Sequence, residues 1–226
     1  MQGRKRCKLN NRGVTLIELV VVILMMGLIS MMLVVFVSTS RVSYQSVSTE
    51  IQLQDEASFA MSYIEEVAVE AEYCSPGVQR VAFEDGSSMD VFYILAPDTE
   101  TTITSEKNYY YFIALERETG TLRFMRLPEP QKGEEDPAVI CDLKGEVNIK
   151  ETLEGQRLYG NPRKLLAKNV KVARNEDGEI IENKSLDVKV KDNLIEVRIV
   201  FELMDKEYTA DKIFLGRNIK LEKEKK

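Results

Sequence analysis

Residues 12–29 read RGVTLIELVVVILMMGLI, and the rest of the chain takes its meaning from this stretch. Five cations, Arg4, Lys5, Arg6, Lys8 and Arg12, lie in the first 13 residues, with no acid among them. From Leu19 to Val37 run 19 residues without a charge, broken only by Gly27 and Ser30 as non-apolar positions. At a rise of about 1.5 Å per residue, such a helix crosses the ~30 Å hydrocarbon core of a bilayer. The reading is a membrane helix. The cations on its N-terminal flank, against Arg41 alone before Glu50 on the other, set the N-terminus in the cytoplasm and the body outside. One acid, Glu18, sits at the mouth of the run. A carboxylate costs about 3 kcal/mol at the centre of a membrane helix and less near its end, so its presence asks for a reason.

The helical pattern continues past the apolar run. Residues 38–73 contain neither Gly nor Pro, and Val47, Ile51, Ala57, Met61, Ile64, Ala68 and Ala71 recur mostly three or four apart. That spacing predicts an amphipathic continuation. Glu50, Gln54, Glu65 and Glu72 are expected in solvent, and Pro76-Gly77 is expected to end the helix. A helix over 14–73 is roughly 90 Å long.

Beyond Pro76 the period changes to two. In NLIEVRIVFELM (193–204), Ile195, Val197, Ile199, Phe201 and Leu203 alternate with Glu196, Arg198 and Glu202, as in a half-buried strand. Strands are also expected in 89–96, 108–117, 121–127 and 185–191. ETG (118–120) and EDGE (176–179) read as hairpin turns, with Gly where positive φ is wanted. PEPQKGEEDP (128–137) is a loop, and RKLLAKNV (163–170) a short helix or turn. The fold class expected is α+β: a long N-terminal membrane-spanning helix whose C-terminal half packs on a mainly antiparallel β-sheet. Its parts are a basic leader (1–13), a transmembrane helix (14–37), its amphipathic continuation (38–75), a β-rich domain (76–218) and a charged tail (219–226).

Composition narrows the function classes. The chain carries a net charge of −6, and without the leader's five cations 26 basic residues face 37 acidic ones, about −11. An acidic body argues against nucleic acid, which needs clustered Lys and Arg. Histidine is absent, removing the commonest general base and zinc ligand. No Gly-rich phosphate loop, CxxC pair or nucleophile set occurs, so neither metal nor cofactor nor catalysis is expected. The acidic turns at Glu84-Asp85 and Glu176-Asp177 lack the alternating ligands of a calcium loop. Tyr109-Tyr110-Tyr111-Phe112 suits the two faces of a strand, and Met25, Met26, Met31 and Met32 suit apolar packing. For Cys74 and Cys141 two readings stay open: one disulfide if the body faces an oxidising compartment, or two buried thiols, since sequence does not fix their separation.

Gly13, then Val14-Thr15-Leu16-Ile17-Glu18, then an apolar helix, all after a short basic leader, resembles the prepilin-type signal of type IV pilins and pseudopilins. The resemblance implies cleavage by prepilin peptidase between Gly13 and Val14, N-methylation of Val14, and an assembly or registry role for Glu18. Val14 departs from the Phe usual at that place. The family also implies a pilin-like fold and partners in other pilin or pseudopilin subunits and an inner-membrane assembly platform. It implies residence in the cytoplasmic membrane, followed by a cell-surface or periplasmic filament. LLAKNVKV (165–172), the strand at 194–204 and LGRN (215–218) are similar to the J-type minor pseudopilins and related minor pilins. The role implied is structural, that of a minor pilin or pseudopilin.

The physics of Glu18 agrees with that resemblance. A cut after Gly13 removes the leader cations and exposes a new α-amine, with Glu18 about 6 Å further along the helix. Pairing of the carboxylate with the amine of a neighbouring subunit offsets its cost and sets the axial register of the helices. Rival readings are a plain signal anchor, a secretory signal cut near Val37-Ser38-Thr39, an anchored extracytoplasmic binding domain that never assembles, and an anchored hydrolase.

Overall fold

The apolar run and its continuation form one α-helix, α1 (Leu16–Val69), of 54 residues. The computed structural model describes residues 15–84, 86–97, 108–130, 138–141, 147–158, 164–172, 185–217 and 219. Two compact units divide within α1, after Ser48. In the first unit every described side chain from Thr15 to Gln45 is exposed, as an all-round apolar surface must be without lipid or sister helices.

In the second unit α1 buries one stripe: Thr49, Leu53, Ala57, Ala60, Met61, Ile64, Val67 and Ala68. Two residues expected in that stripe are instead exposed, Val47 at 56% and Ile51 at 53%. Ile51 and Leu53 are about 200° apart around a helix, so the apolar period alone matched two faces, and the sheets select the one through Leu53. The helix also stops before Pro76. Past Val69 the Ala71 N–H bonds the Ala68 carbonyl at 3.3 Å and the Glu72 N–H the Leu95 carbonyl at 2.8 Å, which draws the chain into a strand. The Val69 carbonyl accepts the Arg217 N–H at 3.0 Å, satisfying one of the acceptors a helix end leaves over.

The first sheet comprises β1 (Tyr73–Cys74), β2 (Gln79–Ala82), β3 (Ser88–Pro97), β4 (Asn108–Glu116), β5 (Thr121–Pro128) and β6 (Lys164–Ala167). Its order is β1-β3-β4-β5-β6, with β2 also on β3, and every pairing is antiparallel. Alternate residues serve two cores. Phe92, Ile94, Tyr111, Ile113, Leu122 and Phe124 face α1 and the second sheet. Val91, Tyr93, Tyr110, Phe112, Met125 and Leu127 face Val81, Phe83, Val139 and a short helix, α2 (Ile149–Leu158), through Ile149 and Leu153. Both faces are therefore covered, which explains why β3 and β4 read as nearly unbroken apolar runs. The α2 cover is a feature that periodicity did not reveal. It starts at Asn148, whose Oδ1 accepts the Glu151 N–H at 3.2 Å, an ordinary N-cap.

The second sheet is β7 (Leu186–Lys191), β8 (Leu194–Leu203) and β9 (Lys206–Leu215), antiparallel in that order. Ile195, Val197, Ile199 and Phe201 enter the core shared with α1. On the outer face Asp187, Arg198 and Asp211 stand in register across the three strands, with Arg198 Nη2 2.7 Å from Asp211 Oδ2. The sequence pattern does not reveal β9. Its hairpin turns at Met204-Asp205, where φ is 49° and 63°, positive values reached without a glycine.

Residues 164–171 are strand and link, where a short helix or turn was expected. β6 pairs with β5, and the chain then crosses to the second sheet. The Lys171 N–H bonds the Val200 carbonyl at 2.9 Å and the Glu202 N–H bonds the Asn169 carbonyl at 2.8 Å. Glu56 of α1 accepts from Asn169 Nδ2 at 2.7 Å and from the N–H groups of Lys168 and Asn169 at 3.1 and 3.2 Å. One segment thus ties two sheets to the helix. It approaches the β4–β5 turn so closely that a Cβ on Gly120 (φ +65°) would lie 2.4 Å from the Val170 carbonyl oxygen.

Candidate functional site

The first turn of α1 carries the residues singled out by sequence. Gly13 and Val14 lie outside the described residues; Thr15 and Glu18 lie within them. The Thr15 N–H and hydroxyl both donate to Glu18 Oε2, at 2.9 and 2.8 Å, and the Glu18 N–H meets Thr15 Oγ1 at 3.4 Å. This is a capping box, in which the side chains of the N-cap and of the third helical position satisfy donors that a helix start leaves bare. A negative side chain in the first turn also suits the positive end of the helix dipole. Glu18 therefore has a partner inside its own chain. Thr15 is the capping partner of Glu18, and T-x-x-E before an apolar run is its capping signature in the sequence.

Around this turn nothing else of the described chain gathers. Leu16 and Ile17 are 82% and 73% exposed. Among the described residues α1 is the one helix long and apolar enough to cross a membrane. Met25, Met26, Met31 and Met32 are all exposed along it. At the end of the apolar run Ser38 and Thr39 return their hydroxyls to the Val35 carbonyl, each at 2.9 Å, which satisfies both hydroxyl donors within the helix.

Cys74 and Cys141 are both thiols, with no disulfide between them. The first sheet separates them. Cys74, on β1, is buried in the core shared with α1, whereas Cys141 is half-buried against the α2 side and bridges Val147. Burial pushes the Cys74 thiol up to about 12, so it stays protonated and unreactive at neutral pH. The four-aromatic run splits between the two faces: Tyr109 and Tyr111 toward α1, Tyr110 and Phe112 toward α2.

Of the two acidic turns, Glu84 is described, while Asp85, Glu176 and Asp177 lie outside the described residues. Among the described residues no group of three or more Cys, Asp and Glu is placed to hold a metal ion. The buried charged cluster that sequence did not mark is Asp90, with Arg117 at 3.3 Å and Arg80 at 3.4 Å. Asp90 and Arg117 side chains are 7% and 5% exposed, a pairing that keeps each charge from standing alone in the interior.

No protein-family model matches this sequence, and no curated protein or solved structure matches the chain.

Proposed function

We propose that the chain is a minor pilin or pseudopilin, a structural subunit of a type IV pilus or type II secretion-like filament. It would sit in the cytoplasmic membrane with its N-terminus in the cytoplasm and its body outside, lose its leader to prepilin peptidase after Gly13, and assemble through its N-terminal helix with other subunits on a membrane platform. The observation that carries this reading is the pairing of an all-round apolar helix start with an acid in its first turn. A bare apolar helix satisfies an anchor; an acid kept at its mouth suits a helix that leaves lipid for a bundle of like helices. The new α-amine of a neighbouring subunit is the natural counter-charge for Glu18.

One observation favours a second reading, an anchored extracytoplasmic domain that never assembles. The capping bonds from Thr15 give Glu18 a use within one chain, with no neighbour needed. Glu18→Ala separates the two. The filament reading expects insertion and leader removal to proceed and incorporation into filaments to fall sharply, read by shearing filaments from cells and blotting. Normal incorporation of Glu18→Ala contradicts it.

A further inference from the structure

β9 leaves one of its edges open. Its turn, Met204-Asp205, closes on the pair Leu203–Lys206, and in a two-residue hairpin that pair exchanges both of its backbone hydrogen bonds. The phase holds along the strand, for the Gly216 N–H still reaches the Asn193 carbonyl at 2.9 Å. Even-numbered residues of β9 therefore bond β8, and the N–H and carbonyl groups of Glu207, Thr209, Asp211, Ile213 and Leu215 point the other way. Among the described residues these groups have no hydrogen-bond partner. The opposite edge of the sheet is occupied. A Cβ on Gly77 would lie 3.7 Å from the Val188 carbonyl oxygen, and the Lys171 N–H bonds the Val200 carbonyl past the end of β7.

Proteins blunt a long edge with proline, a bulge or an inward charge. β9 runs ten residues without the first two, and its inward Lys212 is neutralised by Glu65. Beside the edge, between α1 and β9, runs a groove of about 360 Å³ with small walls at Ala57, Ser58 and Ser62. It gives room to alternate side chains of an added strand.

We propose that this edge takes up an extended segment of another protein as a further strand. Only a polypeptide in extended form offers donors and acceptors at the spacing of β9 itself. Side chains then set which one. The outer face beside the edge is acidic at Glu207 and Asp211 and aliphatic at Ile213 and Leu215, 61% and 62% exposed. Both carboxylates hold a cation of their own chain through one oxygen, Lys171 and Arg198, and each keeps the other oxygen for a second. A second copy of β9 fits this face poorly. In antiparallel pairing centred on Asp211 that acid meets itself; centred on Thr209 it meets Glu207. Centred on Ala210, Ile213 meets Glu207 and Leu215 meets Asp205. Each register sets acid against acid or acid against an aliphatic residue. The matching strand carries cations opposite Glu207 and Asp211 and aliphatic residues opposite Ile213 and Leu215. The proposal rests on the body alone, and holds for a filament subunit and an unassembled domain alike.

The test uses the full chain in detergent and a synthetic peptide antiparallel to residues 207–215. The peptide has lysines opposite Glu207 and Asp211, isoleucines opposite Ile213 and Leu215, and serine elsewhere. Amide exchange in the chain alone should alternate, with Thr209, Asp211 and Ile213 fast and Ala210, Lys212 and Phe214 slow. Adding the peptide should slow the three fast amides. N-methylating the peptide amides that face β9 should weaken binding at least about tenfold. Ile213→Pro should do the same, since it removes an outward donor and spares the bonds to β8. A peptide with glutamates in place of lysines should bind the wild type more weakly and regain binding to the Glu207→Lys/Asp211→Lys variant. Loss of the alternation in the chain alone, equal binding of the N-methylated peptide, a charge swap that is not regained, or no binding of the lysine peptide overturns the proposal. So does protection of the three fast amides that rises with chain concentration, which would make a second copy the occupant.

Discussion

Between Leu16 and Gln45 α1 exposes every described side chain, whereas between Thr49 and Val69 it buries eight. The secondary structure is the same in both stretches, and the source of stability differs. The second stretch is held by its own chain. Its buried stripe includes Ala57, Ala60 and Ala68, small enough to bring the sheets close, and its acids Glu56 and Glu65 are tied down by Asn169 and Lys212. The first stretch has no such partners among the described residues. Its hydrophobic surface gains nothing until lipid or other helices cover it, which is why its sequence is apolar on all sides.

The sharpest way to break that contrast is to truncate one apolar side chain in each stretch. Ile64→Ala, at a fully buried position, should lower the stability of the body by about 2–5 kcal/mol. Leu24→Ala, at a position 64% exposed, should leave it unchanged. Urea unfolding of the full chain in detergent reports both, followed by tyrosine fluorescence, since the chain has nine tyrosines and no tryptophan. Equal effects would mean that the two stretches are not distinct. A smaller effect comes from two glycines, Gly120 in the β-rich body and Gly27 in the exposed stretch of α1. A methyl group on Gly120 meets the Val170 carbonyl at 2.4 Å with φ at +65°, so Gly120→Ala should cost about 1–3 kcal/mol. Gly27 has nothing within 4 Å of its added Cβ. Gly27→Ala should therefore leave the unfolding midpoint of the body in place and strengthen the isolated helix by about 1 kcal/mol, seen as slower amide exchange around it.

Much of this contrast is legible from sequence, because solvent preference is written in composition. Nineteen uncharged residues from Leu19 to Val37 state their surroundings without reference to the rest of the fold. The alternation in β8 states its inner face just as clearly. What stayed hidden depends on contacts between distant segments. Val47 and Ile51 have the right spacing for burial, but the sheets meet the face through Thr49 and Leu53. β9 is hidden in the sequence because Lys212 occupies an inward position, where it reaches Glu65 of α1 instead of entering the core. Lys164–Ala167 reads as a short helix or turn in isolation and is a strand because β5 offers an open edge. The helix ended at Val69 for the same kind of reason: the Leu95 carbonyl competes for the Glu72 N–H. At the candidate site Glu18 stands out as an acid beside an apolar run, while Thr15 reads as its cap only through the T-x-x-E spacing.

The central claim, that the first turn of α1 becomes a mature N-terminus, is tested most directly by sequencing the N-terminus of the full chain isolated from the cell envelope. The account predicts a chain that begins at Val14, short of the leader and bearing Glu18 at its fifth residue. A chain that still begins at Met1, or that begins near Ser38, would contradict it.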